Sequence, residues 1–168
     1  VDATGHHVAA ILYYGERHVT SKEPINTPED MAGLKIRVPD APLYVLFPNA
    51  VGANPTPIAF AEVYLALQQG TVDAQENPLP TILAKKFYEP TPIINLTGHI
   101  TESLITIVSG NLWNSLSDED KAIFDAVFQE AATRSNEEIF ASEAELVTGF
   151  EELGATVNPV DRSLFKAV

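Results

Sequence analysis

The sequence predicts an α/β fold, because runs typical of strands alternate with segments that carry helix start and stop signals. The apolar run at residues 8–14 is typical of a strand buried on both faces. Apolar residues make up 45% of the 168-residue chain, which is enough for a sizeable core. This length fits one domain or part of a larger two-domain protein.

In the first part of the chain, glycine and proline define the predicted elements. Gly15 ends the first strand, and a polar edge arm follows at residues 16–23. Thr27 is a helix N-cap with proline at the first helical position, and a strand is predicted at residues 34–38. Residues 41–50 are predicted to be a helix kinked near its proline.

The central part continues the same alternation. Residues 60–69 are predicted to be a helix, because apolar residues recur on one stripe and a glycine follows. A short strand at residues 71–75 is predicted to break at Asn77, which precedes a proline. A helix is predicted at residues 80–88. Two further strands are predicted, at residues 93–100 and 104–109.

A long helical segment follows the serine at position 117 and runs to about residue 153. A single helix of that length would reach roughly 55 Å, longer than a small domain is wide, and would bridge two lobes. The alternative is two helices broken near residues 133–136. The sequence leaves both open.

Composition excludes several classes of function. Ten basic residues against 23 acidic ones give a net charge of −13, which disfavours nucleic acid and anionic lipid as partners. The chain has no cysteine, so disulfides, zinc–thiolate sites and cysteine nucleophiles are excluded. No apolar run approaches the roughly 20 residues that a membrane-spanning helix needs.

Recognised catalytic motifs are also missing from the sequence. His6 and His7 would point to opposite faces of a strand, so a shared metal is disfavoured, and we interpret them as a solvated segment. The paired carboxylates near the C-terminus, as at residues 151–152, are best explained as a solvated helix face. We therefore predict no metal and no cofactor.

Three polar residues stand at predicted strand ends, where ligands bind in open α/β sheets. Arg37 lies at the end of its strand before a proline, and its guanidinium is a fork suited to a carboxylate. Asn77 can donate to an anion and accept from a hydroxyl. Arg17 follows the first strand and is a third candidate. An ordinary surface arginine and a turn asparagine are the alternatives.

The chain resembles the substrate-binding proteins of tripartite ATP-independent periplasmic (TRAP) transporters. The resemblance is carried by GLKIRVP at residues 33–39, GANPTPIAFAEVYLALQ at residues 52–68 and VDAQENPL at residues 72–79. The segments GER at residues 15–17 and KFYE at residues 86–89 fit as well. These motifs occur in the family's order and spacing, and the resemblance covers essentially the whole chain.

The resemblance implies a two-lobed periplasmic-binding-protein-like fold with a long lobe-spanning helix. It also implies that the chain corresponds to the C-terminal half of such a protein, with earlier strands and helices of the first lobe preceding it. Residues 1–14 and 103–142 would then belong to lobe I, and residues 15–102 and 143–168 to lobe II. Some residues of the cleft would lie outside this sequence.

The resemblance also assigns site residues. The family's principal arginine, which pairs with the ligand carboxylate, falls on Arg37, and its second arginine and its asparagine fall on Arg17 and Asn77. Phe60 matches an aromatic residue that packs on the ligand. Two further matched positions line or support the pocket; they are Glu76 and His99.

One position departs from a branch of the family. Sialic-acid-binding members have asparagine three residues after the principal arginine, whereas this chain has Asp40. This argues against sialic acid. A carboxylate here would accept hydrogen bonds from ligand hydroxyls, which favours a sugar acid such as a uronate or aldonate.

The function that the resemblance implies is capture of a small organic acid anion in the periplasm and delivery to membrane permease subunits of the transporter. C4-dicarboxylates or other carboxylates are alternative ligands. An enzyme, a hydrolase or lyase acting on a carboxylate in a two-lobed cleft, is the rival class, and Glu76 and His99 would be its acid/base candidates. A ligand-sensing module that docks on a signalling receptor is a third interpretation.

Overall fold

A computed structural model of the chain describes residues 3–165 and confirms the α/β class. The chain divides into two compact units. Unit 1 takes the residues up to Gly15 together with Glu102–Ser142, and unit 2 takes Glu16–Thr101 together with the residues from Glu143 onward. Within the described residues, no helix combines the length and apolar character that a bilayer span requires.

Two long strands contribute residues to both units. Strand β1 is His6–Ser21 and strand β5 is Ile93–Ser109. The prediction that the first strand ends at Gly15 was wrong, because Gly15 adopts a φ of 125° and the strand continues through it. The predicted pair of strands at residues 93–109 is likewise one strand.

Four of the six strands in residues 3–165 lie wholly within unit 2. They are β2 (Lys35–Val38), β3 (Asn54–Pro57) and β4 (Ala74–Pro78), and β6 is Thr156–Asn158. Among the described residues the strand order is β3-β2-β4-β1-β5-β6, with β2 parallel to β3 and β4, and β1 antiparallel to β4. Sequence reasoning missed β3, because its two prolines and its asparagine are typical of a loop.

Asn77 lies within β4 and not after it. The predicted break at the following proline was wrong, because that proline is the last residue of the strand and pairs with Arg17 in register. No ladder hydrogen bond from its nitrogen is needed at that end. The Asn77 side chain is bonded to Gln75 of the same strand and to Arg17 of β1.

The helices of unit 2 are short. Helix α1 is Pro42–Ala50 and carries an internal proline as predicted, α2 is Val63–Gln68, and α3 is Leu79–Ala84. The predicted helix after Thr27 is a single 3-10 turn, Pro28–Met31, and another 3-10 turn, Phe60–Glu62, precedes α2.

The C-terminal part contains α4 (Gly110–Ser115), α5 (Asp118–Glu152) and α6 (Arg162–Phe165). Helix α5 is one continuous helix of 35 residues, which decides between the two readings of this segment. Polar side chains near its middle are accommodated without a break, since Thr133 donates to the carbonyl of Gln129 and Asn136 accepts from the backbone N–H of Tyr13.

Unit 1 is held by aromatic and polar contacts between β1 and the C-terminal elements. His7 stacks on Trp113 with ring centroids 3.5 Å apart, and its Nε2 lies 3.2 Å from Asp125. Tyr13 stacks on Phe140 at 4.1 Å. The interpretation of His7 as part of a solvated segment was therefore wrong.

Unit 2 contains two apolar clusters. One joins α2, α3 and β5 to the end of α5, and its largest fully buried side chains are Phe87 and Phe150. The other joins β1, β2 and β4 to the 3-10 turn at Pro28–Met31 and to the residue after α1. Strand β4 thus lies in the buried middle of the sheet, and the polar side chains that it carries are buried with it.

Candidate functional site

The candidate site is built on strand β4 of unit 2, which carries Gln75, Glu76 and Asn77 in sequence. Its neighbour β1 pairs in a register that places Arg17 opposite the last residue of β4, and β2 places Arg37 opposite Gln75. All of these side chains are buried. Three adjacent strands therefore bring two arginines, a carboxylate and an amide together.

Arg17 binds Glu76 and Asn77 at once. Its Nε and Nη2 donate to the two carboxylate oxygens of Glu76, the second over 2.8 Å, and Nη2 also donates to the Glu76 carbonyl. The same nitrogen donates to Asn77 Oδ1 at 3.2 Å. A bidentate, charge-assisted pair of this kind fixes the orientation of both groups.

His99 of β5 completes this network from the other side. Its Nε2 lies 3.4 Å from the Glu76 carboxylate and its Nδ1 lies 2.8 Å from the Thr97 hydroxyl. Burial lowers the pKa of His99, against the opposing effect of Glu76. The imidazole is therefore neutral near pH 7 and enclosed, which suits a supporting role and not direct contact with a ligand.

Arg37 has a different environment from Arg17. Its Nε and Nη2 both donate to the carbonyl of Ile58, at 2.9 and 2.8 Å, and no carboxylate within residues 3–165 forms an ion pair with it. Among the non-exposed side chains of residues 3–165, Arg37 Nη1 is the buried polar atom without a hydrogen-bond partner. An unsatisfied donor on a buried cation is costly, so its retention indicates an anion that completes it.

The charges of the cluster do not cancel. Burial lowers the pKa of Arg37 first, with the nearby Arg17 acting in the same direction, while Glu76 and Tyr44 oppose this. An arginine nonetheless stays protonated in proteins. Two guanidiniums, one carboxylate and a neutral imidazole leave one net positive charge, which matches a single carboxylate group.

Asn77 retains hydrogen-bonding capacity. Its Nδ2 donates to Gln75 Oε1 at 2.6 Å, and Gln75 in turn donates to the hydroxyl of Thr20 at 3.0 Å. An amide nitrogen has two hydrogens, and Gln75 accepts one of them. The chain of bonds fixes which way the amide faces, and within residues 3–165 Gln75 is the acceptor that Nδ2 reaches, so its second N–H can serve a further acceptor.

Phe60 and Asp40 differ in their placement. The Phe60 ring lies 5.7 Å from the Arg37 guanidinium and is partly exposed, so it stands beside the cation as an apolar wall. Asp40 is exposed ahead of α1. Among the described residues, it forms no hydrogen bond or ion pair with the arginines, so the structure does not bring it into the cluster.

Sequence reasoning missed two aromatic residues of α1. The ring of Tyr44 covers the Arg17 guanidinium at 4.9 Å, and the ring of Phe47 stacks on His99 at 4.1 Å. The i, i+3 spacing of two aromatic residues was a signal that both face the same way. It did not reveal what they would face.

The cluster has features of an anion-binding site and lacks those of a metal centre. Within the described residues, no group of three or more histidine, aspartate or glutamate side chains is arranged to hold a metal ion. Buried arginines with a side-chain amide, set in an α/β sheet, have the chemistry that a small-anion binding protein needs.

The chain belongs to the family described as bacterial extracellular solute-binding protein, family 7, whose model matches residues 1–168. It is 43% identical over 154 residues to the sialic acid-binding periplasmic protein SiaP of Vibrio cholerae, which is 92% of this chain and 48% of that protein. It is 33% identical over 167 residues to the 2,3-diketo-L-gulonate-binding periplasmic protein YiaO of Escherichia coli, covering 98% and 51%. The chain thus spans about half the length of these relatives.

Solved structures of TRAP periplasmic solute-binding proteins share the fold. One from Roseobacter denitrificans, with bound 3-deoxy-D-manno-oct-2-ulosonic acid, has a TM-score of 0.94 at 38% identity and covers 99% of this chain and 56% of that one. Another, from Actinobacillus succinogenes with bound L-galactonate, has a TM-score of 0.91 at 32% identity, covering 98% and 55%. The recognition of this family from the sequence is confirmed.

Proposed function

We propose that this protein is the extracytoplasmic solute-binding component of a TRAP transporter and captures a small organic acid anion. In this proposal the two units are parts of two lobes, with residues 1–14 and 103–142 in lobe I and residues 15–102 and 143–168 in lobe II. The protein acts in the periplasm and delivers its ligand to the membrane permease subunits. The names of its relatives, which are periplasmic binding proteins, support this location.

The observation that carries the proposal is the unpartnered Nη1 of Arg37. The Arg37 guanidinium is held by the Ile58 carbonyl, and its remaining nitrogen is buried without an acceptor. A ligand carboxylate would supply that acceptor together with the missing negative charge. In this proposal Asn77 contributes its second N–H, and Phe60 packs against the apolar part of the ligand.

The ligand class that we propose is a sugar acid, a uronate or an aldonate. The single net positive charge of the cluster supports a monocarboxylate over a C4-dicarboxylate. Relatives with solved structures hold L-galactonate and beta-D-glucuronate, which are hydroxylated acids of this kind. Asp40, close in sequence to Arg37, would accept from a ligand hydroxyl once the ligand is present.

Binding is a better fit to the geometry than catalysis. Glu76 and His99, which an enzyme would use as acid and base, are enclosed, and the carboxylate is bound by Arg17. A general base must be able to reach the proton that it abstracts. Incubation of the protein with each acid, followed by mass spectrometry, checks this: we expect unchanged ligand, and a product would favour the enzyme.

The proposal is tested by calorimetry on the protein in the form in which the producing cell makes it. We expect binding of at least one aldonate or uronate, and a loss of about 2–5 kcal/mol of binding free energy in Arg37→Ala, because a buried charge partner is removed. Arg134→Ala, on the exposed part of α5, is the matched control and should bind as the wild type does. Equal affinity of Arg37→Ala and the wild type would contradict the assignment.

A further inference from the structure

Helix α1 places two aromatic side chains against opposite ends of one buried ionic network. Tyr44 lies over Arg17, and Phe47, three residues later, lies over His99. Between them Glu76 is bonded to both Arg17 and His99. One face of α1 therefore contacts both ends of this network.

The two aromatic residues differ in what else they contact. Phe47 also packs against the apolar cluster that contains Met31 and Ile36. Tyr44 belongs to neither apolar cluster of unit 2, although it is half-buried. Membership of an apolar cluster therefore does not account for the large aromatic ring at position 44, which lies over the Arg17 guanidinium.

The ring of Tyr44 restrains Arg17 in a direction that hydrogen bonds cannot. Glu76 and Asn77 hold the guanidinium at its edge, through nitrogens that donate within its plane. An aromatic ring attracts a cation to its face, which restrains tilting out of that plane.

We propose that Tyr44 is a positioning residue for ligand binding, whose ring holds the Arg17 guanidinium in the plane in which it binds Glu76 and orients the Asn77 amide that meets the anion. This inference rests on the proposed function of organic acid capture. Its chemistry is that of an aromatic face on a cation, which Tyr44→Phe retains and Tyr44→Leu removes. Under this inference, helix α1 contributes to ligand affinity together with strands β1, β2 and β4.

The test compares Tyr44→Phe with Tyr44→Leu, by calorimetry against the acid that the wild-type protein binds. We expect Tyr44→Phe to bind within about twofold of the wild type and Tyr44→Leu to bind at least about tenfold more weakly. Leu46→Ala, on the exposed face of the same helix, is the control and should bind normally. Tyr44→Met replaces Tyr44→Leu if the leucine variant does not fold.

A second measurement separates positioning from a general loss of structure. In an Arg17→Lys background, where the planar guanidinium is gone, Tyr44→Leu should weaken binding by less than about twofold, because the group it acts on is absent. In an Arg37→Lys background, Tyr44→Leu should still weaken binding by at least about tenfold, because Arg17 is unchanged.

Three results would overturn the inference: an unchanged affinity of Tyr44→Leu, an equal loss in Tyr44→Phe, or a full loss in the Arg17→Lys background. If the wild-type protein binds none of the organic acids, the proposed function fails and the inference fails with it. Any of the three results with a wild-type protein that binds would overturn the role of Tyr44 alone.

Discussion

Arg17 of β1 and Glu76 of β4 form a bidentate ion pair whose side chains are 3% and 1% exposed. Glu76 lies opposite Val19 in the strand register, so Arg17 reaches it diagonally, from two residues along β1. Removing both charges from water costs about as much as their attraction returns, so such a pair is weak evidence for stability. Its value lies in orienting Arg17 and in limiting the net charge of the site.

Breaking this pair from one side should be strongly destabilising. We expect Glu76→Gln to lose about 3–5 kcal/mol of unfolding free energy, because Arg17 is left as an uncompensated buried charge. Urea denaturation followed by circular dichroism measures this. The exposed Glu130→Gln should stay within about 0.5 kcal/mol of the wild type. A loss below about 1 kcal/mol in Glu76→Gln would contradict this prediction, because it would show that water solvates the charge of Arg17 in the variant.

Replacing Arg37 should separate stability from binding. Arg37→Met removes a buried cation that forms an ion pair with no carboxylate of residues 3–165, so we expect it to cost less stability than Arg17→Met, which strands the Glu76 carboxylate. Both variants should lose ligand affinity. Thermal melts without ligand measure the first effect and calorimetry the second. The idea fails if Arg37→Met unfolds at a lower temperature than Arg17→Met.

His18 should make the fold sensitive to acid. Burial, with Arg162 and His99 nearby, lowers its pKa from 6.5 to about 3, while its Nδ1 accepts from the backbone N–H of Gly98. Between those two values the unfolded chain binds a proton that the folded chain does not. Stability therefore falls as the pH drops below 6.5, by up to about 1.4 kcal/mol per pH unit.

The check on His18 is a comparison with His18→Asn, whose amide oxygen can accept the same hydrogen bond without titrating. We expect the unfolding free energy of the variant to fall less steeply between pH 6 and 4, by up to one proton's contribution. His99, whose pKa is also lowered, remains in both proteins and acts in the same direction. Identical slopes would mean that His18 is not the titrating group.

Gly98 should resist substitution because of its conformation and its neighbour. Its φ is +53°, and a β-carbon added there would lie 2.5 Å from the guanidinium carbon of Arg162. We expect Gly98→Ala to cost about 1–2 kcal/mol from the left-handed conformation, with a smaller addition from displacing the end of the Arg162 side chain. In an Arg162→Ala background only the conformational part should remain.

The control for this position is Gly149→Ala. Gly149 lies in α5 with open space around it, so alanine should stabilise the protein by about 0.5–1 kcal/mol. Urea denaturation measures all of these variants. If Gly98→Ala proved as well tolerated as Gly149→Ala, neither the conformation nor the contact with Arg162 would constrain this position.

Local sequence signals predicted the strand that carries Arg37, because its alternation and the following proline are local features. They misplaced the ends of β1 and β4. Gly15 and the Asn77–proline pair are typical strand breakers, yet both lie in strands whose pairing partners are distant in sequence. Pairing energy between distant segments overrides local preference and is not visible in a short window.

The same limit applies to the site. Arg37, Arg17 and Asn77 were singled out as residues at strand ends, which holds for Arg37 but was wrong for Arg17 and Asn77, because these two lie within β1 and β4. The family motifs added Glu76. Tyr44 and Phe47 were missed because their partners are set by where α1 packs on the sheet. The unpartnered Nη1 of Arg37 could not be predicted either, because it depends on how the guanidinium binds the carbonyl of Ile58, 21 positions later in the chain.

Strand β4 holds three consecutive residues with separate tasks: Gln75 fixes the amide, Glu76 neutralises Arg17, and Asn77 faces the ligand in our proposal. Adding or deleting a single residue in this strand would place each of these functions at the wrong position and turn every side chain after the change to the opposite face of the sheet. Evolution of new ligand preferences is therefore expected to proceed here by point replacement, with changes in chain length confined to the surrounding loops.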